Sequence, residues 1–549
     1  MTWKNHEGGG GCLRLYACNV SCVLPGVWGK EEQMQKRMES AAEGLAGRSI
    51  QAESVHILQT QLEEYAARGL YPFHMPGHKR RFTPAPGLPA CWDLTEVPGT
   101  DDLHNASGIL REAMDRTASL CGSARTWYLV NGSTCGLLAG IRALAGRGSS
   151  VLCARNCHKA VYHALELAGC RVHWILPPIA EGWGICGGIT AAQVSAAIRR
   201  HPSVRAVILT SPTYEGVLSE IEEICNVCHA KSIPVLIDEA HGAHLLPVSR
   251  EAGFPAGALS CGADVVVQSP HKTLPSMTQT ALLHMQGDLV DPDRIERQLD
   301  IFETSSPSYP LLASLDGCTG ILREQGRELF ALWAARIGRF DTQVRNLQRI
   351  RILYHTRAQA EEKQELPSVQ PDLYDPGKIL IDASRAGMTG PELAFVLRER
   401  WKMETEMAQG NLVLAMTSLC DDEDALDRLA AALREIDVSV GEYPSKEKAG
   451  NPDEEGVSCF GIRLALAAIH PVTVCSLWDA CQQETEKVPA AEAAGRVSAE
   501  SLYFYPPGIP FLAPGELITP RILRLLADAR RSGEQIYRGR DEYMLCLRE

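Results

Sequence analysis

Lys272 closes the stretch Ser269-Pro270-His271-Lys272, which follows a β-branched run, Val265 to Val267, and precedes a second apolar run, Ala281 to Leu283. Pro270 and Pro275 both disfavour helix, so the pattern predicts Lys272 on a connection between two buried strands. A lone lysine there is most often a solvated surface charge. Its sharper use is as an amine that condenses with an aldehyde to a Schiff base.

Three other stretches decide between these uses. Gly132-Ser133-Thr134 follows the strand-like Trp127 to Val130 and opens a helical pattern, an arrangement that offers a phosphate both backbone donors and hydroxyls. His158, in Arg155-Asn156-Cys157-His158-Lys159, supplies a flat ring. Asp238, in Leu236-Ile237-Asp238-Glu239-Ala240-His241, puts a carboxylate at a strand end. Taken singly, a Gly-Ser-Thr turn is weak evidence and a strand-end aspartate is often a helix cap. In this order they match what pyridoxal phosphate needs: a phosphate cradle, a ring cover, a carboxylate to keep the pyridine nitrogen protonated, and a downstream lysine.

The elements that must position these groups alternate between about Trp127 and His284. Val151 to Cys153, Val172 to Leu176, Ala206 to Thr210, Val235 to Ile237 and Val265 to Val267 read as buried strands, most of them separated by helix-length segments. That pattern predicts a mainly parallel sheet with helices on both faces, whose sites form at the carboxyl ends of its strands. Before it, Val55, Leu58, Leu62 and Tyr65 recur at helical spacing. After Tyr309, a helix carries Leu322, Leu329, Leu332, Trp333, Ile337 and Phe340 on one side and links to a smaller α/β unit. There Thr389-Gly390-Pro391-Glu392 reads as a capping box, Leu412 to Met416 as a strand and Asp424 to Ile436 as a helix. Gly441 to Gly456 reads as a linker, Tyr505-Pro506-Pro507-Gly508-Ile509-Pro510 as a proline-pinned loop and Pro520 to Arg531 as a helix.

Composition narrows the function classes. The 549 residues are 45% hydrophobic, enough for two or three domains, and 54 basic against 67 acidic residues give a net charge of −13. That charge favours neither nucleic acid nor an anionic membrane. No apolar run approaches the roughly 18 residues of a membrane span. Nineteen scattered cysteines point to free, buried thiols in a reducing, cytoplasmic setting. The lone Cys225-Asn226-Val227-Cys228 pair reads as packing, and Asp101, Asp102 and His104 match no common metal spacing, so no metal site is expected. Residues 1–50, with glycines at Gly8 to Gly11, read as a flexible extension, and Met34 or Met38 would serve as a start. Leu15-Tyr16-Ala17-Cys18 lacks the apolar stretch that export would need.

The chain resembles the Orn/Lys/Arg decarboxylases, which share the aspartate-aminotransferase fold (fold type I of the pyridoxal-phosphate enzymes). The resemblance rests on His74-Met75-Pro76-Gly77-His78-Lys79, Asn131-Gly132-Ser133-Thr134, Asp238-Glu239-Ala240-His241-Gly242-Ala243-His244 and Ser269-Pro270-His271-Lys272-Thr273-Leu274. Thr304-Ser305-Ser306-Pro307-Ser308-Tyr309 and the Tyr505 to Pro510 loop also match. It covers about Ser54 to the C-terminus and is similar to the shorter bacterial members, which have no wing domain before the arm. It implies an N-terminal arm over 51–105, a cofactor-binding large domain over 106–320 and a linking helix with a small domain over 321–440. A linker over 441–456 and a C-terminal decarboxylase domain over 457–549 complete it.

Residue by residue, the resemblance implies Lys272 as the Schiff-base lysine, Asp238 as partner of the pyridine nitrogen and His158 stacked on the ring, with Ala240 and His241 beside it. Gly132, Ser133, Thr134, Ser269 and His271 would hold the phosphate. Two subunits would build each site, with Ser305 or Ser306 reaching the neighbour's phosphate in a homodimer or larger homo-oligomer. The expected activity is decarboxylation of a basic amino acid, arginine or lysine first and ornithine third, to an amine and carbon dioxide. A fold type I aminotransferase and a non-catalytic relative remain open alternatives. The substrate's distal cation needs a carboxylate, for which Glu516 and Asp102 are candidates.

Overall fold

The computed structural model describes residues 55–68, 75–76, 91–180, 182–353, 369–439, 468–505, 508–531, 536–537 and 542–549. The 1–50 extension, His74, Gly77 to Lys79, the 441–456 linker and Pro506-Pro507 therefore lie outside the described residues.

Seven strands form the central sheet: β1 (Arg125–Leu129), β2 (Ser150–Ala154), β3 (Arg171–Ile175), β4 (Val204–Thr210), β5 (Val235–Glu239), β6 (Val265–Gln268) and β7 (Ala281–Met285). Their order is β1-β7-β6-β5-β4-β2-β3. Pairing is parallel from β3 through β6, while β7 runs antiparallel to both of its neighbours. Strands β2, β5, β6 and β7 are buried end to end, as a sheet covered on both faces requires, while the edge strand β3 is buried only at Ile175. Register then places Thr210 beside Asp238 and Asp238 beside Val267, so the polar strand ends lie side by side.

Helix α1 (Gly132–Leu144) starts directly behind β1, and α2 (Lys159–Ala168) behind β2. Between β6 and β7 the chain makes one helical turn, Pro270–Thr273, which corrects the expectation that prolines exclude helix around Lys272. Pro270 occupies the first helical position, where its missing N–H has no intrahelical acceptor to lose. The connection between strands is otherwise as expected.

The long helix α3 (Tyr309–Val344) buries Leu322, Phe330, Trp333, Ile337 and Phe340, with Phe254, Phe330 and Trp333 in ring contact. A second sheet, all antiparallel, contains β8 (Arg351–Ile352), β9 (Lys378–Asp382), β10 (Met407–Gln409) and β11 (Leu412–Met416) in the order β8-β9-β11-β10. Beside it, α4 (Gly390–Trp401) begins with the expected capping box, Thr389 and Glu392 each satisfying the other's backbone N–H. Toward the C-terminus, β12 (Leu502–Phe504) and β13 (Ile509–Leu512) form a hairpin backed by α5 (Pro520–Arg531). Residues 505–510 are thus not wholly loop, because β13 already begins at Ile509.

Candidate active site

A cavity of about 560 Å³ opens where the carboxyl ends of the central strands meet the second sheet and the C-terminal hairpin. Its lining brings together Ser133, His158, Asp238, Ala240, His241, His271 and Lys272. Gly132, Thr134 and Ser269 stand just behind or beside that lining, each adjacent in sequence to a residue that does line it or to the Pro270 turn. The volume lies within the range of small-molecule sites.

Strand alternation decides which acidic residue serves the cavity. Successive side chains of β5 point to opposite faces, so Asp238 lines the cavity and Glu239 turns away from it. Glu239 accepts from Ala258 N–H (2.7 Å) and Gln268 Nε2 (2.7 Å), and burial pushes its carboxyl up to about 8. Asp238 is buried and accepts from the Ala240 N–H at 3.2 Å. Burial raises its carboxyl, with Lys272 and the Ala240 N–H acting the other way.

Lys272 opens onto the cavity, and its Nζ lies 3.1 Å from His241 Nε2. Burial lowers the amine, while Asp238 and Glu406 pull it back up. His158 is the first-turn cap of α2, where its Nδ1 accepts from Ala160 N–H at 3.2 Å. Burial, then Lys272, Lys159 and His163, pushes it down to about 4, so it is a neutral ring at physiological pH. His271 donates from Nδ1 to the Thr280 carbonyl at 2.6 Å, which fixes its orientation.

The residues fit a phosphorylated aromatic aldehyde. Helix α1 has no side-chain cap at Asn131, so its first N–H groups are left for an anion, and Gly132 makes the turn into it at φ +75°. Among the described residues, Ser269 is fully buried with an unpartnered Oγ, and Asn156 Oδ1 and Thr210 Oγ1, both on cavity-lining residues, are also buried without a hydrogen-bond partner. Buried polar atoms are rarely left unpaired, and three of them around one cavity mark groups kept for a ligand.

Several contributors were not evident from the sequence. Glu406, immediately before β10, lines the cavity and accepts from the Tyr214 hydroxyl at 2.7 Å. Met416, the last residue of β11, also lines it. In register beside Met416, at the start of β9, stands Lys378, whose Nζ lies 3.1 Å from His241 Nδ1. A lysine opening an otherwise apolar run, Ile379 to Ile381, was the one available signal. From the C-terminal hairpin come Tyr505 and Ile509. Gly508 accepts from Lys159 N–H at 3.0 Å, and a Cβ there would lie 3.3 Å from His158 Nε2, so the hairpin approaches that ring as closely as glycine allows.

Neither distal-carboxylate candidate lines the cavity. Glu516 is buried in a bidentate pair with Arg155, and Asp102 is exposed and accepts from the His104 N–H at 2.9 Å. Neighbouring Asp101 is a helix cap, accepting from the N–H groups of Ser107, Gly108 and Leu110. Burial alone would raise its carboxyl, but the N–H groups of Ser107, Gly108, Asp102 and Arg111 outweigh it and hold it low. Ser305 and Ser306 are exposed. Among the described residues no cluster of His, Cys, Asp and Glu could hold a metal ion, and no helix is long and apolar enough to cross a membrane.

Comparison with known proteins agrees with this geometry. Residues 57–425 match the model of the Orn/Lys/Arg decarboxylase major domain, and residues 469–536 match that of the C-terminal domain of the same family. The chain is 31% identical over 483 residues to an arginine decarboxylase of Halalkalibacterium halodurans, covering 87% of this chain and 94% of the relative. It is 33% identical over 472 residues to an arginine decarboxylase of Bacillus subtilis, covering 84% and 91%. Among solved structures, the lysine decarboxylase of Francisella novicida superposes with a TM-score of 0.75 at 20% identity, over 90% of this chain and 82% of that one, which shows a shared fold. With both family models matched in order along one chain, the protein belongs to the Orn/Lys/Arg decarboxylase family.

Proposed function

We propose that the chain decarboxylates a basic amino acid, arginine first, using pyridoxal phosphate. The observation that carries this reading is the single cavity that joins Lys272 and Asp238 of the central sheet to Glu406 beside the second sheet. When bound, the cofactor supplies an electron sink for the pair left on the α-carbon as carbon dioxide departs.

The chain's own residues divide the remaining work. Lys272 supplies the amine that holds the aldehyde, and its Nζ then returns a proton to the α-carbon. Asp238, in a dry site, holds a proton on the ring nitrogen by pairing with the charge it creates. His158, kept neutral, covers one face of the ring, with Ala240 and His241 alongside. Ser133, His271, Ser269 and the α1 N-terminus hold the phosphate, with Gly132 and Thr134 shaping that turn. Glu406, oriented by Tyr214, meets the cationic end of the substrate, and Tyr505 and Ile509 exclude water from above.

The similarity to relatives named arginine decarboxylase supports arginine over lysine and ornithine. The reading also includes a homodimer, supported by the exposure of Ser305 and Ser306, and a division into domains at the boundaries given above. A cytoplasmic location is part of it, supported by fifteen free cysteines among the described residues. The test is to supply arginine, lysine and ornithine in turn to the purified protein with pyridoxal phosphate. Amine and carbon dioxide from arginine are the expected products; keto-acid formation would show an aminotransferase, and no turnover of any of the three would remove the reading.

A further inference from the structure

The peptide plane joining Val130 to Asn131 leads into the turn at Gly132 and so into the N-terminus of α1. Side chains grip it at both ends. Its N–H, on Asn131, donates to Glu303 Oε2 at 3.4 Å, as the Val130 N–H does at 3.2 Å. Its carbonyl, on Val130, accepts from Gln279 Nε2. A peptide unit is planar, so these bonds set the way it faces and with it the entry of the chain into α1.

Side chains are needed because the sheet gives out here. The β1–β7 ladder ends at Leu129 and Ala281, and in that register Thr280 stands opposite Val130. Both backbone groups of Thr280 are engaged elsewhere: its N–H donates to the Met277 carbonyl at 3.2 Å, and its carbonyl accepts from His271 Nδ1 at 2.6 Å. Val130 is buried, and its carbonyl takes its donor from the side chain of the next residue along, Gln279.

Gln279 holds that place in a strained backbone. Its φ is +86°, which crowds the Cβ of any residue but glycine. Among the described residues two other non-glycine residues have positive φ, Ser232 and Lys402, and each lies at the exit of a helix, where left-handed residues are ordinary. Gln279 follows no such exit; it is an exposed residue two positions before β7. A glycine would meet the backbone requirement without strain, as Gly132 does across the gap. What glutamine adds is the amide that reaches Val130, and strain of this kind persists where the placement of a group matters.

We propose that Gln279 is a positioning residue for the phosphate: from the connection that carries Lys272, it fixes the Val130–Asn131 peptide so that the first N–H groups of α1 stay aimed at the anion. The inference rests on the reading above that the α1 N-terminus holds the phosphate of the cofactor.

The test compares pyridoxine 5′-phosphate with pyridoxine on the cofactor-free full-length chain. The two probes differ only in the phosphate, and neither has an aldehyde for Lys272. Dissociation constants come from the quenching of intrinsic fluorescence, and their ratio isolates the phosphate. The unmodified protein should prefer the phosphorylated probe. Gln279→Gly and Gln279→Ala should each shrink that preference about two- to tenfold, the size of one hydrogen bond, with the affinity for pyridoxine unchanged. In urea, Gln279→Gly should have the higher unfolding midpoint of the two, because glycine alone relieves the backbone. Relief of strain should therefore leave the phosphate preference unrestored. A full preference in either variant, an equal loss for both probes, or a lower midpoint for Gln279→Gly than for Gln279→Ala would overturn the proposal while the phosphate assignment stands. Equal binding of the two probes by the unmodified protein would instead remove the phosphate assignment, and the role of Gln279 with it.

Discussion

Arg155 and Glu516, 361 residues apart, face each other in a fork, with Nη1 to Oε1 at 2.6 Å and Nη2 to Oε2 at 2.8 Å. Both side chains are about 95% buried, and the guanidinium also packs over the rings of Tyr162 and Trp174. This pair ties the C-terminal segment to the loop that carries Asn156 and His158. Removing one partner strands a buried charge, at a cost of about 3–5 kcal/mol. Glu516→Ala should lower stability by that order in chemical denaturation. Arg155→Met combined with Glu516→Leu should recover most of the loss, because a dry apolar pair can replace a dry ionic one.

Lys272→Ala should abolish turnover and the visible absorption of bound pyridoxal phosphate while leaving the thermal unfolding temperature nearly unchanged, since the side chain opens onto the cavity. Substantial residual carbon dioxide release would refute the role assigned to it. Asp238→Asn should still bind the cofactor yet lose most of the rate, which absorbance and single-turnover measurements separate.

Glu406→Gln should weaken arginine binding more than it slows chemistry. A hydrogen bond to a charged group contributes about 1.5–3 kcal/mol, so KM should rise roughly 10- to 150-fold. Tyr214→Phe, which removes only the 2.7 Å bond that orients Glu406, should have a smaller effect in the same direction. An unchanged KM for Glu406→Gln would place the distal cation elsewhere.

The structure also sets an acid limit to stability. His284 is fully buried between Thr126 Oγ1 at 2.8 Å and Gln268 Oε1 at 3.1 Å, and burial pushes it down to about 3. The unfolded chain takes up this proton near pH 6.5 and the folded chain does not. Its contribution is therefore complete above about pH 6.5 and is lost as pH falls toward 3, by about 1.4 kcal/mol per unit. His284→Gln should flatten the stability profile in that window by about one proton, as urea titrations at successive pH values would read.

The parallel core was legible because β4, β5 and β6 are short runs rich in Val and Ile that end in a polar residue, and Thr389 announces its helix through the spacing to Glu392. The gathering of Asp238, His158 and Lys272 around one cavity was legible for a related reason: each sits where a strand or its following turn ends. What the sequence concealed was tertiary. Glu516 reads as a solvated loop charge until Arg155 is placed against it. Glu406 has no local mark that separates it from Glu404, yet only Glu406 reaches the cavity. Lys378 is separated from His241 by 137 residues, and no periodicity spans that distance. The helical turn at Lys272 was misjudged because Pro270 breaks a helix everywhere except at its first position.

The cavity wall takes Lys272 from the middle of the chain, Glu406 from the second sheet and Ile509 from near the end. During synthesis Lys272 thus emerges long before the segment that closes the cavity over it. Until Ile509 and the Arg155–Glu516 fork are in place, water reaches Lys272 from the open side. Chains fold as they lengthen, earlier units first. A chain that stops before Ile509 therefore carries Lys272 in a cavity with one wall missing.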